Sequence, residues 1–362
     1  METPAVTSNT PFGNLEVVRL NGGQPIIEPA MFAAVGVAAD GANINGPSLL
    51  RVPDWVPPAD RAHPSAAYYL YFADHSGRYI RLAWAQHVEG PWTLYRTGAD
   101  VPPGERGVLD MGDEGDLVLG NGLAASWHIA SPDVLVDDAN RRIEMYFHGL
   151  ARLDGEDLGQ KSFVATSATG LSFGDALEPV ILGDFYFRVF RYRGDLYALA
   201  KHGALYRPRN PDDPWTPPEG FDFSQELWIG RRDNPFQNAL DRAGHSHLKL
   251  RHVAVHVEGD TLWVFDSRVG DAPERLFLSR IDLGAGDFET WAVSGAAREI
   301  LRPAPGWEGG ELTPRPSTEG PVREDVNQLR DPGVFVDRGG EHYLLYCGRG
   351  EQGLGLARLA LS

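Results

Sequence analysis

Residues able to do chemistry recur at two kinds of position in this 362-residue chain: just before a short apolar strand, and just after the strand that follows it. Asn43, Asn45 and Gly46 precede the first such strand, and Asp74 and His75 follow its partner. The second set is His128, Ser131 and Asp133, then His148; the third is Tyr186 and Arg188, then Lys201 and His202. Arg251 and His252, then Asp266, Ser267 and Arg268, make the fourth, and Arg330 and Asp331, then Arg349 and Glu351, the fifth. Carboxylates beside imidazoles are the materials of general acid–base catalysis, because an imidazole titrates near neutrality and a small shift sets its state. On this pattern Asp331 or Asp133 is the candidate base and His252 or His128 the candidate acid. Asp74 and the loop 270–274 are reserve sources of carboxylate, although the loop reads first as a hairpin turn.

Arg188, Lys201, Arg251, Arg268, Arg330 and Arg349 form a cationic set within a chain of net charge −17. Guanidinium groups pair with carboxylates and donate to vicinal hydroxyls, so a saccharide, in particular an anionic one, or another carboxylated polyol is the expected guest. The expected binding residues are Asn45, Asp74, His75, Arg188, Lys201, Arg251, Arg268 and Arg330. Trp55, Trp127, Tyr186 and Phe187 are candidate stacking surfaces. The competing structural reading is that Arg330 pairs with Asp133 or Asp331 and only locks neighbouring elements together.

These residues meet only if their strands radiate from one axis. Long segments with a helical apolar rhythm are almost absent, whereas β-branched and aromatic runs bounded by Gly, Pro, Asp or Asn occur throughout. Five strand pairs recur: 47–52 with 68–72, 132–136 with 143–147, 187–190 with 196–200, 252–257 with 262–265, and 332–336 with 343–347. Four of them are joined by Gly, Asp or Asn turns typical of hairpins. Third strands at 79–85, 161–167, 275–281 and 354–359 make each unit a small antiparallel sheet, and such units at intervals of tens of residues indicate a β-propeller.

The expected fold is all-β: one five-bladed propeller of four-stranded sheets over residues 1–362. Its blades fall at about 43–100, 128–182, 184–240, 245–300 and 328–362. The last blade runs out of sequence, and 14–20 has the pattern to supply its missing outer strand and close the ring, covering an exposed edge. Two stacked β-sandwiches are the alternative. The long segment 204–244 is expected as a lid, a rim or an oligomer contact.

The acidic balance repels nucleic acid and anionic lipid, and no Lys/Arg block compensates for it. Residues 1–23 show no basic region followed by an apolar core, and no uncharged apolar run of about 18 residues occurs, so a cytoplasmic protein is expected. The composition leaves the oligomeric state open. Cys347, the single cysteine, is expected to act as a small apolar residue. His245, Ser246, His247 and His252 do not complete a tetrahedral zinc site. No cofactor is required by the pattern; a single Ca²⁺ or other ion in the channel, held by one histidine and waters, is compatible with it. Phosphate-binding glycine loops and Gly-x-Ser-x-Gly elbows are absent.

Asn45-Gly46-Pro47, Ser131-Pro132-Asp133 and Arg330-Asp331-Pro332 each open an inner strand. With the five-unit repeat, the chain resembles the five-bladed propeller glycoside hydrolases, the superfamily of family 43 arabinanases and xylosidases and, more distantly, of levansucrases and invertases. The resemblance implies glycosidase activity on a short glycan in a central funnel. In family 43 it implies an Asp base on the first blade, an Asp on the third and a Glu acid on the fourth. Asn45, Arg188 and Arg251-His252 stand at the closest positions here, so those roles do not transfer. In the levansucrase-like proteins the Arg-Asp-Pro motif lies on a middle blade, whereas here it opens the last. Two other functions fit the same residues: a polysaccharide or uronide lyase or lactone hydrolase using His and Arg, with or without a metal ion, and a sugar-binding propeller without catalysis.

Overall fold

In a computed structural model, which describes residues 15–113 and 115–361, the chain forms five small antiparallel sheets, blades I to V. Blade I runs outward through Asn45–Arg51, Tyr68–Ala73, Tyr79–Ala85 and Thr93–Tyr95. Blade III consists of Arg188–Tyr192, Asp195–Leu199, Leu205–Arg207 and Ile229–Gly230. Blade IV comprises Lys249–Glu258, Thr261–Val269, Leu276–Asp282 and Arg298–Leu301. Blade V takes three strands from the C-terminal end, Arg330–Val336, His342–Cys347 and Leu354–Leu361, and Leu15–Arg19 from the other end of the chain, with Val17 opposite Leu359. The closing strand is where the unpaired edge requires it. The bounds 14 and 362 expected for that blade lie outside the described residues.

Blade II departs from the simple pattern. Its strands Leu123–Asp137, Arg142–Leu153 and Glu156–Ser167 run well past the neighbouring blades, and Leu117–Gly120 pairs with the near end of Leu123–Asp137. Segment 204–244 completes blade III with its two outer strands, so it is not simply a rim. It also carries a helix, Pro235–Arg242, capped by the Asn234 side chain on the amides of Phe236 and Gln237.

Both faces of each sheet are buried, which is why the second strands read as unbroken apolar runs. Tyr69 and Tyr71 point toward blade II, and Leu70 and Phe72 toward blade V. The buried apolar residues form five clusters, one between each pair of adjacent blades, including blade V against blade I. Five blades in an open row would have only four such interfaces, so the fifth cluster is the packing signature of a closed ring.

Candidate functional site

Four of the inner strands carry a bulge near the same end: between Asn45 and Ser48, Ala130 and Asp133, Leu250 and Val253, and Arg330 and Gly333. In three of them the residue before a proline is left-handed: Gly46 at φ +62°, Ser131 at +51° and Asp331 at +45°. A bulge sets two residues against one and re-aims a side chain. On blade IV this presents Arg251 and His252 together, and on blade V it turns Asp331 inward. Blade III has Tyr186, at φ +71°, in the corresponding place.

The result is a funnel of about 280 Å³ whose wall includes His75, His128, His148, Lys201, Arg251 and His252, with Tyr186, Phe185 and Gln160 between them. At its floor the Nδ1 of His252 is seated on Oδ1 of Asp331. The Asp331 carboxyl is fully buried; the Tyr186 hydroxyl lies 3.4 Å from Oδ1 and the Cys347 thiol 3.6 Å from Oδ2. Rings continue up the wall: Tyr186 stacks on His252 at 4.3 Å and meets His148 at 4.8 Å, and His148 meets His128 edge-on at 5.6 Å. Burial holds His252 and His148 well below the ordinary imidazole pKa and lowers His128, with the neighbouring His75 adding to the last. It also raises Asp331, against the pull of His75 and the surrounding arginines.

Below and beside this pair lies a neutralised ionic layer. Arg330, fully buried, donates to Glu351 at 2.9 Å and to Gln328 at 2.7 and 3.1 Å, and its Nε lies 3.2 Å from Glu274. Arg251 donates to Glu274 at 2.8 Å and to the Thr318 carbonyl at 2.5 Å. Glu351 also accepts from Asn43 at 2.5 Å and faces His75 at 3.6 Å; Asn45 donates to Asn43. Although burial opposes it, the bond and charge of His75, with Arg330, pull the Glu351 pKa down to about 2. Glu274, read from sequence as part of a hairpin turn, is a buried counter-ion to two arginines, and Arg330 pairs with Glu351 and Glu274 rather than with Asp133 or Asp331.

The structure therefore brings together His75, His128, Lys201, Arg251 and His252 at the funnel, with Asp331, Arg330 and Asn45 beneath. Asp74 lies at the blade I side, accepting from the Ser76 amide at 2.8 Å and 3.7 Å from Arg81. Asp133 and Arg188 line a separate axial cavity of about 140 Å³. Asp133 accepts the Val189 amide at 2.8 Å, while Arg188 straps three blades by donating to the carbonyls of Pro132 and Val253. Asp133 and Asp331 consequently do not face each other across one mouth. Arg268 lies in a lateral cavity between blades III and IV, on Asp266.

Of the expected stacking residues, Tyr186 lines the funnel, Phe187 packs in the core against Trp228 and Tyr206, and Trp55 bonds Asp138 on the outside. Trp127, beside His128, is 73 % exposed. His148 was visible on this face from sequence but carried no assigned role. Gln160 and Phe185 were missed: the first reaches the funnel only because blade II is overlong. Among the described residues, no group of three or more His, Cys, Asp or Glu is arranged to hold a metal ion. No described helix is long and apolar enough to cross a membrane.

The five-bladed propeller is a fold this chain shares with a solved glycoside hydrolase. A thermostable family-43 glycoside hydrolase superposes with a TM-score of 0.50 at 12 % identity, covering 88 % of each chain. An exo-1,5-α-L-arabinanase from a bovine ruminal metagenomic library superposes at 0.48 and 12 %, over 88 % of this chain and 92 % of that one. No family model matches. By sequence, the chain belongs to the same family as the uncharacterised protein R118 of Acanthamoeba polyphaga mimivirus, to which it is 31 % identical over 324 residues, 88 % of this chain and 83 % of that protein.

Proposed function

We propose that the protein is a carbohydrate-active hydrolase that takes the end of a short acidic saccharide into the funnel and activates water with His252. One observation carries this reading: His252 faces the funnel while its Nδ1 rests on a carboxylate sealed from solvent. A carboxylate there fixes the tautomer and orientation of an imidazole, which leaves Nε2 to accept a proton from water. Glycosidic cleavage then forms a bond from the water oxygen to the anomeric carbon and breaks the bond to the leaving oxygen, which is protonated by His128 from blade II. Since the described funnel carboxylates are all committed to partners, the displacement is direct and the anomeric configuration inverts. Lys201, whose partner Glu319 is exposed, is the cation offered to the substrate's acidic group, while Arg251 is already tied to Glu274 and the Thr318 carbonyl. No metal enters the step, so chelation leaves turnover unchanged.

A second reading rests on the burial of His128. A donor held below its usual pKa is poorly protonated at neutral pH, which favours base-led chemistry on the same His252: opening of a sugar lactone, or elimination from a uronide.

The test is turnover of a panel of aryl glycosides, sugar lactones and uronides, with and without chelator. Glycoside turnover that falls about 100-fold or more in both His252→Gln and Asp331→Asn supports the hydrolase. Full activity in both variants removes His252 and Asp331 from the mechanism. Turnover confined to lactones or uronides moves the assignment to the second reading, and saturable sugar binding without turnover makes the funnel a binding site only.

A further inference from the structure

A cavity of about 210 Å³ lies on the flank of the propeller, between helix Pro235–Arg242 and blade IV. One wall is the helix, through Phe236, Ala239 and Leu240; the other is Leu250 and Phe277 of the sheet, with Val293 closing the end. It is separate from the funnel: the bulge in strand Lys249–Glu258 sends Leu250 to this cavity and Arg251 and His252 to the other. A cavity of roughly 150 Å³ with apolar walls already accepts a benzene ring, so the space suits a ring with one substituent.

Set among these walls, with Ser279 and His245 also on the lining, is Arg268, only 6 % exposed. Its Nε donates to Asp266 at 2.8 Å and its guanidinium lies 3.9 Å from the centroid of the Phe277 ring, and the side chain lines the cavity, with no bond from either Nη to a described residue. Donors that open on a cavity are left to water or to a ligand oxygen that takes the water's place, so the free edge of this guanidinium can anchor an acceptor from outside the chain. Asp266 is fully buried and its other oxygen takes the Ser279 hydroxyl at 3.1 Å, so the charge of Arg268 is already offset. A second carboxylate would leave a net negative charge in an apolar surround, whereas a neutral carbonyl satisfies the donors without that cost.

We propose that this flank cavity is a binding site for a small, uncharged, apolar molecule bearing one carbonyl-type acceptor, with its body between Phe236 and Phe277 and its oxygen on the Nη edge of Arg268. Benzamide has this chemistry, and benzoate is its charged isostere. Calorimetric titration of the whole protein with benzamide is expected to give a Kd on the order of 1 mM or tighter, with benzoate at least about tenfold weaker. Ala239→Phe, which fills the cavity from the helix side, abolishes the binding; His252→Gln, in the funnel, leaves it unchanged. Arg268→Met also loses it, and if that variant fails to fold because Asp266 is left unpaired, Ala239→Phe still decides. Unaltered affinity in Ala239→Phe, or no saturable binding well above that concentration, overturns the site. Benzoate binding as tightly as benzamide overturns its preference for a neutral ligand.

Discussion

Whether a side chain in the funnel can move a proton depends on what already holds it. His252 is held at one nitrogen by a buried carboxylate, and burial favours its neutral form; His128 is the proposed donor, and burial and His75 lower its pKa from 6.5. The base must be unprotonated and the acid protonated, so activity rises as pH climbs past the pKa of His252 and falls as it passes that of His128. Both lie below the ordinary value, which places the optimum of kcat/KM below about pH 6.5. An optimum above pH 8 in the wild type would rule out His128 as the acid. Glu351 shows the opposite adjustment, with its pKa taken from 4.5 to about 2. A depressed carboxylate stabilises the fold above its unfolded pKa, and the contribution is lost as pH falls through the folded value; here the window runs from about 4.5 down to about 2 and is worth on the order of 3 kcal/mol. Urea denaturation at a series of pH values is expected to show this acid loss in the wild type. Glu351→Gln is expected to be less stable at pH 7 and flatter across that window, and equal slopes in the two proteins would refute the assignment.

The bulged entry to the inner strands is the element that makes the site. At blade I it requires a residue at φ +62° whose side chain would come within 2.9 Å of the Ser131 Cα on blade II. Gly46→Ala meets both the left-handed backbone and that inter-blade contact, for a loss of about 2–4 kcal/mol in urea denaturation. Gly259, at φ +56° with nothing within 4 Å of an added Cβ, is the control: Gly259→Ala meets the backbone cost alone. Equal losses at the two positions would show that the contact with Ser131 does not matter. The strand pairs were legible in the sequence because each couples an apolar inner strand to an aromatic-rich second one, and strand ends on one face of a propeller converge. That reasoning placed His75, His128, Lys201, Arg251 and His252 at one mouth. It misplaced Asp133 because the matching residues are those before proline, Gly46, Ser131 and Asp331; Asp133 is two residues further along its strand and drops into the axial cavity. It also could not show that Glu274 and Glu351 neutralise Arg251 and Arg330, since each carboxylate sits in the connection after its blade's second strand, and how that connection folds back over the inner strand is set by packing rather than by a sequence pattern.

At the scale of the whole molecule, stability depends on a ring that closes through its own ends. The first described strand, Leu15–Arg19, covers the edge of Leu354–Leu361, and Arg19 makes a two-pronged bond, 2.7 Å at each contact, to Glu308. Glu308 is buried and also accepts the Tyr346 hydroxyl and the Ala304 amide, so it ties the closing strand to blade V and to the connection from blade IV. Arg19→Ala leaves that carboxylate without its cation, for a loss of about 1–3 kcal/mol. Removing residues 1–20 goes further, since it exposes a full strand edge and strips Leu15 and Val17 from the apolar cluster between blades IV and V. The truncated chain is expected to melt at a clearly lower temperature and to associate in light scattering, with amide exchange accelerated first along Leu354–Leu361. Exchange that stays slow there, with an unchanged melting temperature, would mean that the other blades hold the ring together and that the strand is only an attachment.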